Sequence, residues 1–115
     1  MTANNKLLSA LGLCRRAGKL QVGFDAAADA LDKGAPMIVL SCDIAHRTRR
    51  NITEKCRAAT RIVELSHTQH EFEAAVGKRF VVAAVCDENF ARLIEDCLIK
   101  ANQPNDTQEP KNRFK

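Results

Sequence analysis

The chain has no tryptophan and no tyrosine, and five phenylalanines supply all of its Phe, Tyr and Trp content. That removes most of the stacking platforms with which proteins grip unpaired bases. No apolar run reaches the about 18 residues that a membrane-spanning helix needs. The N-terminal stretch MTANNKLLSALGLCRRAGK has no basic region ahead of its apolar part, and its apolar residues are interrupted helically, so it reads as a helix and not a signal peptide. The cysteines Cys14, Cys42, Cys56, Cys86 and Cys97 are odd in number and contain no C-x-x-C pair. They sit in apolar segments, which predicts reduced, buried thiols in a cytoplasmic protein. There is no phosphate-binding glycine motif, no nucleophile elbow and no recognisable triad. Neither an enzyme nor a cofactor is expected.

What is present suits one domain. A length of 115 residues with 45% hydrophobic and 28% charged residues fits a single soluble domain with a modest core. A net charge of +4 permits a nucleic-acid partner without demanding one.

Helical and strand patterns alternate. Leu7, Leu8, Leu11 and Leu13 predict the buried face of a first helix, ending near Arg15-Arg16-Ala17-Gly18. KLQV is a short strand that Gly23 turns into a second helix. On that helix Phe24, Ala27, Ala28 and Leu31 share one face, and Asp25, Asp29 and Lys33 another. MIVLSC reads as a strand covered on both sides. A third helix is predicted over about 45–59, with Ala45, Ile52, Cys56 and Ala59 buried and Arg47, Arg50, Arg57 and Arg61 outward. RIVEL is a strand. A fourth helix runs from Thr68 to Val76, with Thr68 and Glu71 spaced as a capping box and Gly77 as its stop. FVVAAVC is a further apolar strand, and Asp87 to Lys100 a last helix with Phe90, Leu93, Ile94, Cys97 and Leu98 inward. The polar, proline-interrupted end, 101–115, is expected to be a disordered tail. The alternation predicts a three-layer α/β/α sandwich.

Three segments invite a binding role. From Ser41 to Arg61 the chain holds six basic and two acidic side chains, and an outward arginine row can track phosphates or simply be a solvated helix face. In GKRF, Lys78 and Arg79 can approach phosphates and Phe80 can pack on an unstacked base, unless Phe80 is the first core residue of its strand. In QVGFDAAAD, the helix start can offer backbone N–H groups to an anion, unless Asp25 caps them. His67 and His70 stand three apart, but no neighbour completes a metal set. Asp87 is explained as a helix N-cap.

The segments LLSALGLCRRAGKLQVG, ALDKGAPMIVLSCDIAHRTRRNI and EFEAAVGKRFVVAAVCDENFARLI, in this order, resemble the kink-turn-binding ribosomal-protein superfamily of the large-subunit seven-Ae and thirty-e types. They are most similar to its small bacterial YlxQ-like branch. The resemblance covers about residues 4–100, and R-R-A-G-K-L-x-x-G is its most specific part. It implies a mixed four-stranded sheet within the α/β/α sandwich. It also implies RNA contacts at the second helix start and in the loop before the last strand, where strong binders carry G-x-N-E-x-x-K and a more apolar loop. Gly23 matches the family glycine. Asp25 stands in place of Asn, Ala26 in place of Glu, and Asp29 in place of Lys, so the usual contact motif is degenerate.

The expectation is a monomeric, non-catalytic RNA-binding protein of the bacterial cytoplasm, associated with the ribosome or with transcription and translation. Its partner would be structured RNA, kink-turn-like or ribosomal, with no membrane contact. The expected RNA-binding residues are Lys19, Gly23, Phe24, Asp25, Lys33, Lys78, Arg79 and Phe80, flanked by Arg47 and Arg50. The alternative is a protein–protein interaction module that kept the fold and lost RNA binding.

Overall fold

The computed structural model describes residues 3–102. The elements follow in the order α1 (Ala3–Arg16), β1 (Leu20–Val22), α2 (Phe24–Asp32), β2 (Met37–Leu40), α3 (His46–Thr53), β3 (Arg61–Glu64), α4 (Gln69–Val76), β4 (Val82–Val85) and α5 (Glu88–Asn102). The strands form one mixed sheet in the order β1-β4-β2-β3. β4 runs antiparallel to both β1 and β2, while β2 and β3 are parallel. The expected disordered tail begins inside α5 and otherwise lies outside the described residues.

β2 and β4 are buried at every position because helices cover both faces of the sheet. On one face Met37, Val39, Ala83 and Val85 pack with α1, α4 and α5. On the other, Ile38, Leu40, Val82 and Ala84 pack with α2 and α3. This alternation follows from the two-residue side-chain period of a strand, and it confirms the predicted three layers.

Several sequence expectations need correction. Helix α1 buries Leu7, Ala10, Leu11 and Cys14, and Leu13, two positions past Leu11 and one before Cys14, points off that stripe and is 48% exposed. For the same reason Leu93 is exposed on α5, where Ala91, Ile94 and Cys97 face inward. Helix α3 spans eight residues and not the predicted fifteen or so. Its end tightens through Lys55 N–H to Ile52 and Cys56 N–H to Thr53 bonds, both of the i to i−3 kind that closes helices. Ala45 and Ala59 are therefore exposed, and of the predicted stripe Ile52 is buried and Cys56 partly so. All five cysteines are free, but Cys42 and Cys86 are exposed instead of buried, because each lies just past the end of its strand. No helix among the described residues is long and apolar enough to cross a membrane.

Candidate nucleic-acid interface

Strand direction gathers the site at one end of the sheet. Val22 of β1 pairs with Ala83, and Leu40 of β2 with Val82, so both strands finish where β4 begins. Helix α2 thus starts beside the entry to β4, tied by Gly23 N–H to the Val82 carbonyl at 2.9 Å. The connection to α3 starts there too, tied by Ser41 N–H to the Val81 carbonyl at 3.0 Å. Since β4 lies between β1 and β2, its entry at Val82 lies between the end of β1 and the end of β2. Two strand spacings, about 10 Å, separate β1 from β2.

Neither of those helix starts is closed by a side chain. Gly23 is the N-cap of α2, and no side chain caps this end. The expected Asp25 cap is not made: Asp25 lies inside the first turn and is exposed. Ala45, the N-cap of α3, has no side-chain oxygen to offer, and that end is also uncapped by side chains. Helix α4 starts at the same sheet end and differs, because Thr68 and Glu71 form the predicted capping box. Two helix starts therefore keep backbone donors and the positive end of the dipole turned outward, while the third is satisfied internally.

The cations divide sharply by place and by partner. Lys78 is exposed and makes no ion pair among the described residues. Its neighbour Arg79 is held by Glu73 at 3.0 Å, with His70 Nδ1 3.5 Å away. On α3, Arg47 and Arg50 are exposed and unpaired among the described residues. The rest of the predicted arginine row is engaged. Arg57 donates to the Asp32 carbonyl at 2.8 Å, and Arg61 pairs with Glu88 at 2.6 Å and Glu95 at 3.4 Å.

Lys19 and Lys33 stand at the opposite end of the sheet. The Lys19 carbonyl accepts the Cys86 N–H at 2.8 Å, just past the exit of β4. Lys33 closes the far end of α2 and pairs with Asp29 at 3.1 Å. That end carries a polar pocket of about 310 Å³ lined by Gln21, Asp29, Lys33 and Cys86. Burial pushes the Cys86 thiol up despite both lysines. Of the expected RNA-binding residues, Lys19 and Lys33 are thus separated from Gly23, which lies at the other end of the sheet.

Phe80 is a core residue: it is 4% exposed and lies parallel to Phe72 with ring centroids 4.6 Å apart. It cannot reach a base in this arrangement. The half-buried apolar side chains at this end are Phe24, Ile44 and Val81, all packed against the α2/α3 side of the core. Sequence reasoning missed Val81, which precedes β4 and packs on the same side as Val82 instead of alternating with it.

Polar contacts fix the connection from β2 to α3. Cys42 N–H donates to the His67 carbonyl at 2.9 Å. The Ser41 hydroxyl first, then the Gln69 backbone N–H at 3.2 Å and side-chain amide at 3.4 Å, hold the Asp43 carboxyl below its usual range. The Gln69 contacts are the firmer ones, because the Ser41 hydroxyl makes no hydrogen bond of ordinary geometry. His67 is buried against Phe72, and its Nδ1 has no partner among the described residues. Among the described residues no three His, Cys, Asp or Glu side chains gather as a metal set.

No family model and no curated protein matches the chain. Among solved structures it is similar to a protein of unknown function from Bacillus halodurans C. The two are 29% identical, the match covers 82% of this chain and 97% of that one, and the TM-score is 0.74. It is also similar to the 15.5kD RNA binding protein of Giardia lamblia, with 13% identity, 86% and 87% coverage and a TM-score of 0.65. The chain thus has the α/β/α fold of these two proteins, with its uncapped helix starts and their cations at one end of the sheet.

Proposed function

We propose that this is a non-catalytic RNA-binding protein whose contact surface is the sheet end where α2 and α3 begin and the Gly77–Val81 loop enters β4. The observation that carries it is the pair of helix starts without side-chain caps that follow β1 and β2 at the sheet end where β4 begins, with exposed Lys78 four residues ahead of that strand. Backbone donors and the positive helix ends attract phosphate, and Lys78 adds a full charge. Phe24, Ile44 and Val81 offer apolar surface to an extruded base, where shape and not duplex sequence is recognised.

The fold shared with the Giardia lamblia RNA binding protein supports RNA as the partner. The resemblance to the kink-turn-binding superfamily and its YlxQ-like branch supports structured, irregular RNA, in a bacterial cytoplasmic setting near the ribosome or the transcription and translation machinery. The contact set has moved. Exposed Asp25 opposes phosphate at the α2 start, so affinity comes more from the loop and from the α3 side.

A filter-binding titration against a folded internal-loop RNA at increasing salt tests the proposal. Binding should weaken steeply with salt, and Lys78→Gln should lower the logarithmic salt slope by about one. Absent or salt-insensitive binding would reject it. Cellular partners that persist after nuclease treatment would then favour the protein-interaction alternative.

A further inference from the structure

We propose that α3 forms a second, separable part of this surface, in which Arg47 and Arg50 hold the sugar–phosphate backbone of a base-paired arm flanking the irregular RNA element. The proposal rests on RNA binding at the sheet end and extends it to the architecture of the ligand.

Of the three arginines on α3, Arg49 is occupied by Glu64 at 2.7 Å. Arg57 and Arg61, further along the chain, are engaged by the protein itself. Arg47 and Arg50 alone on α3 are exposed cations without an ion pair among the described residues. Three residues apart on a helix, they share one side and are offset by about 4.5 Å along the axis. That disposition presents two cations side by side, as a run of neighbouring phosphates requires.

The composition of the helix decides what kind of ligand fits. Ile52, the one apolar side chain of α3, is fully buried. The helix carries no Phe, Tyr or Trp, and its one ring is His46 at the first position. Such a surface cannot supply the row of stacking platforms that single strands use. It also lacks the aromatic and apolar anchors of a protein–protein interface core. A duplex asks for neither, since its bases are paired inside and it shows phosphates and 2′-hydroxyls outward. Glu54, at the C-cap of α3, marks the limit of the favourable surface. The arm therefore crosses α3 from Arg47 near its start to Arg50 in its last turn, on the side of the sheet that α2 also covers.

The test uses the full chain and two synthetic RNAs that share a purine-rich internal loop. One has an arm of about 12 base pairs and the other an arm cut to about three. Arg47→Gln/Arg50→Gln should lower affinity for the long-arm RNA and change short-arm affinity less than about twofold. With two phosphate contacts removed, raising salt from about 50 to 200 mM should cost the unaltered protein about tenfold more affinity than the variant on the long arm. Arg47→Glu/Arg50→Glu should enlarge the same difference. Both pairs are solvent-exposed, so thermal unfolding should not move. Equal loss on both RNAs, or no loss on either, overturns the inference and leaves RNA binding standing. An unaltered protein that binds neither RNA rejects RNA binding itself, and the inference with it.

Discussion

Gly23 donates its backbone N–H to the Val82 carbonyl at 2.9 Å while holding φ 102° and ψ 162°. This one residue turns β1 into α2 beside the entry of β4. A methyl group added there would meet nothing within 4 Å, so space does not require glycine. Backbone geometry does, because that region of φ and ψ is all but closed to other residues. Gly23→Ala should therefore cost about 1–3 kcal/mol of stability in urea unfolding and weaken RNA binding by misplacing the α2 start.

Phe80 and Lys78 are two residues apart and should behave oppositely. Phe80 stacks on Phe72 inside the core, so Phe80→Ala should destabilise by about 3–5 kcal/mol. Lys78 is exposed, so Lys78→Gln should leave the melting temperature in place and lower RNA affinity. Parallel thermal melts and binding titrations separate the two effects.

The Thr68–Glu71 capping box was legible because it depends on local spacing alone, and the structure reproduces both reciprocal bonds. The two continuous apolar strands were legible because both their faces are covered. Helix α3 was not, since Ala58 and Ala59 favour a helix locally while the chain must turn back to place β3 parallel to β2. The site was legible in part. Gly23 and Val82 are far apart in the sequence and meet only through the antiparallel pairing of β1 with β4. Lys19 is four residues from Gly23, yet the strand between them carries it to the other end of the sheet. Asp25 has the residue type of a cap but lies inside the first turn, two positions past the N-cap Gly23.

Thr68→Ala should cost about 0.5–2 kcal/mol, because it frees the Glu71 N–H at the start of the helix that leads into the contact loop. Hydrogen exchange should show earlier opening of α4, with β2 and β4 still protected.

Burial first, and then the charges of Cys86 and Asp87, push the Cys14 thiol up to about 12 from an ordinary value of 9.0. A thiol whose folded pKa is raised contributes stability below the unfolded value and loses it as the pH climbs toward the folded one. Unfolding midpoints of the unaltered protein should therefore fall faster than those of Cys14→Ala between pH 9.0 and about 12. In the native state at pH near 8, iodoacetamide should label exposed Cys42 and Cys86 well before Cys14.

Glu88 behaves in the opposite sense. Its carboxyl is held below the ordinary value, first by the Arg61 hydrogen bond and then by the Arg61 charge and Arg92. Its contribution is present above the ordinary carboxylate range and lost as the pH falls through the folded value. The stability gap between the unaltered protein and Glu88→Gln should be open at pH 7 and close toward pH 3.

Backbone amide chemical-shift mapping during titration with an internal-loop RNA tests the central claim most directly. Perturbations concentrated at Gly23–Ala26, Ala45–Arg50 and Gly77–Val81 are predicted. Perturbations centred instead on Lys19, Lys33 and Cys86, or none at all, would contradict it.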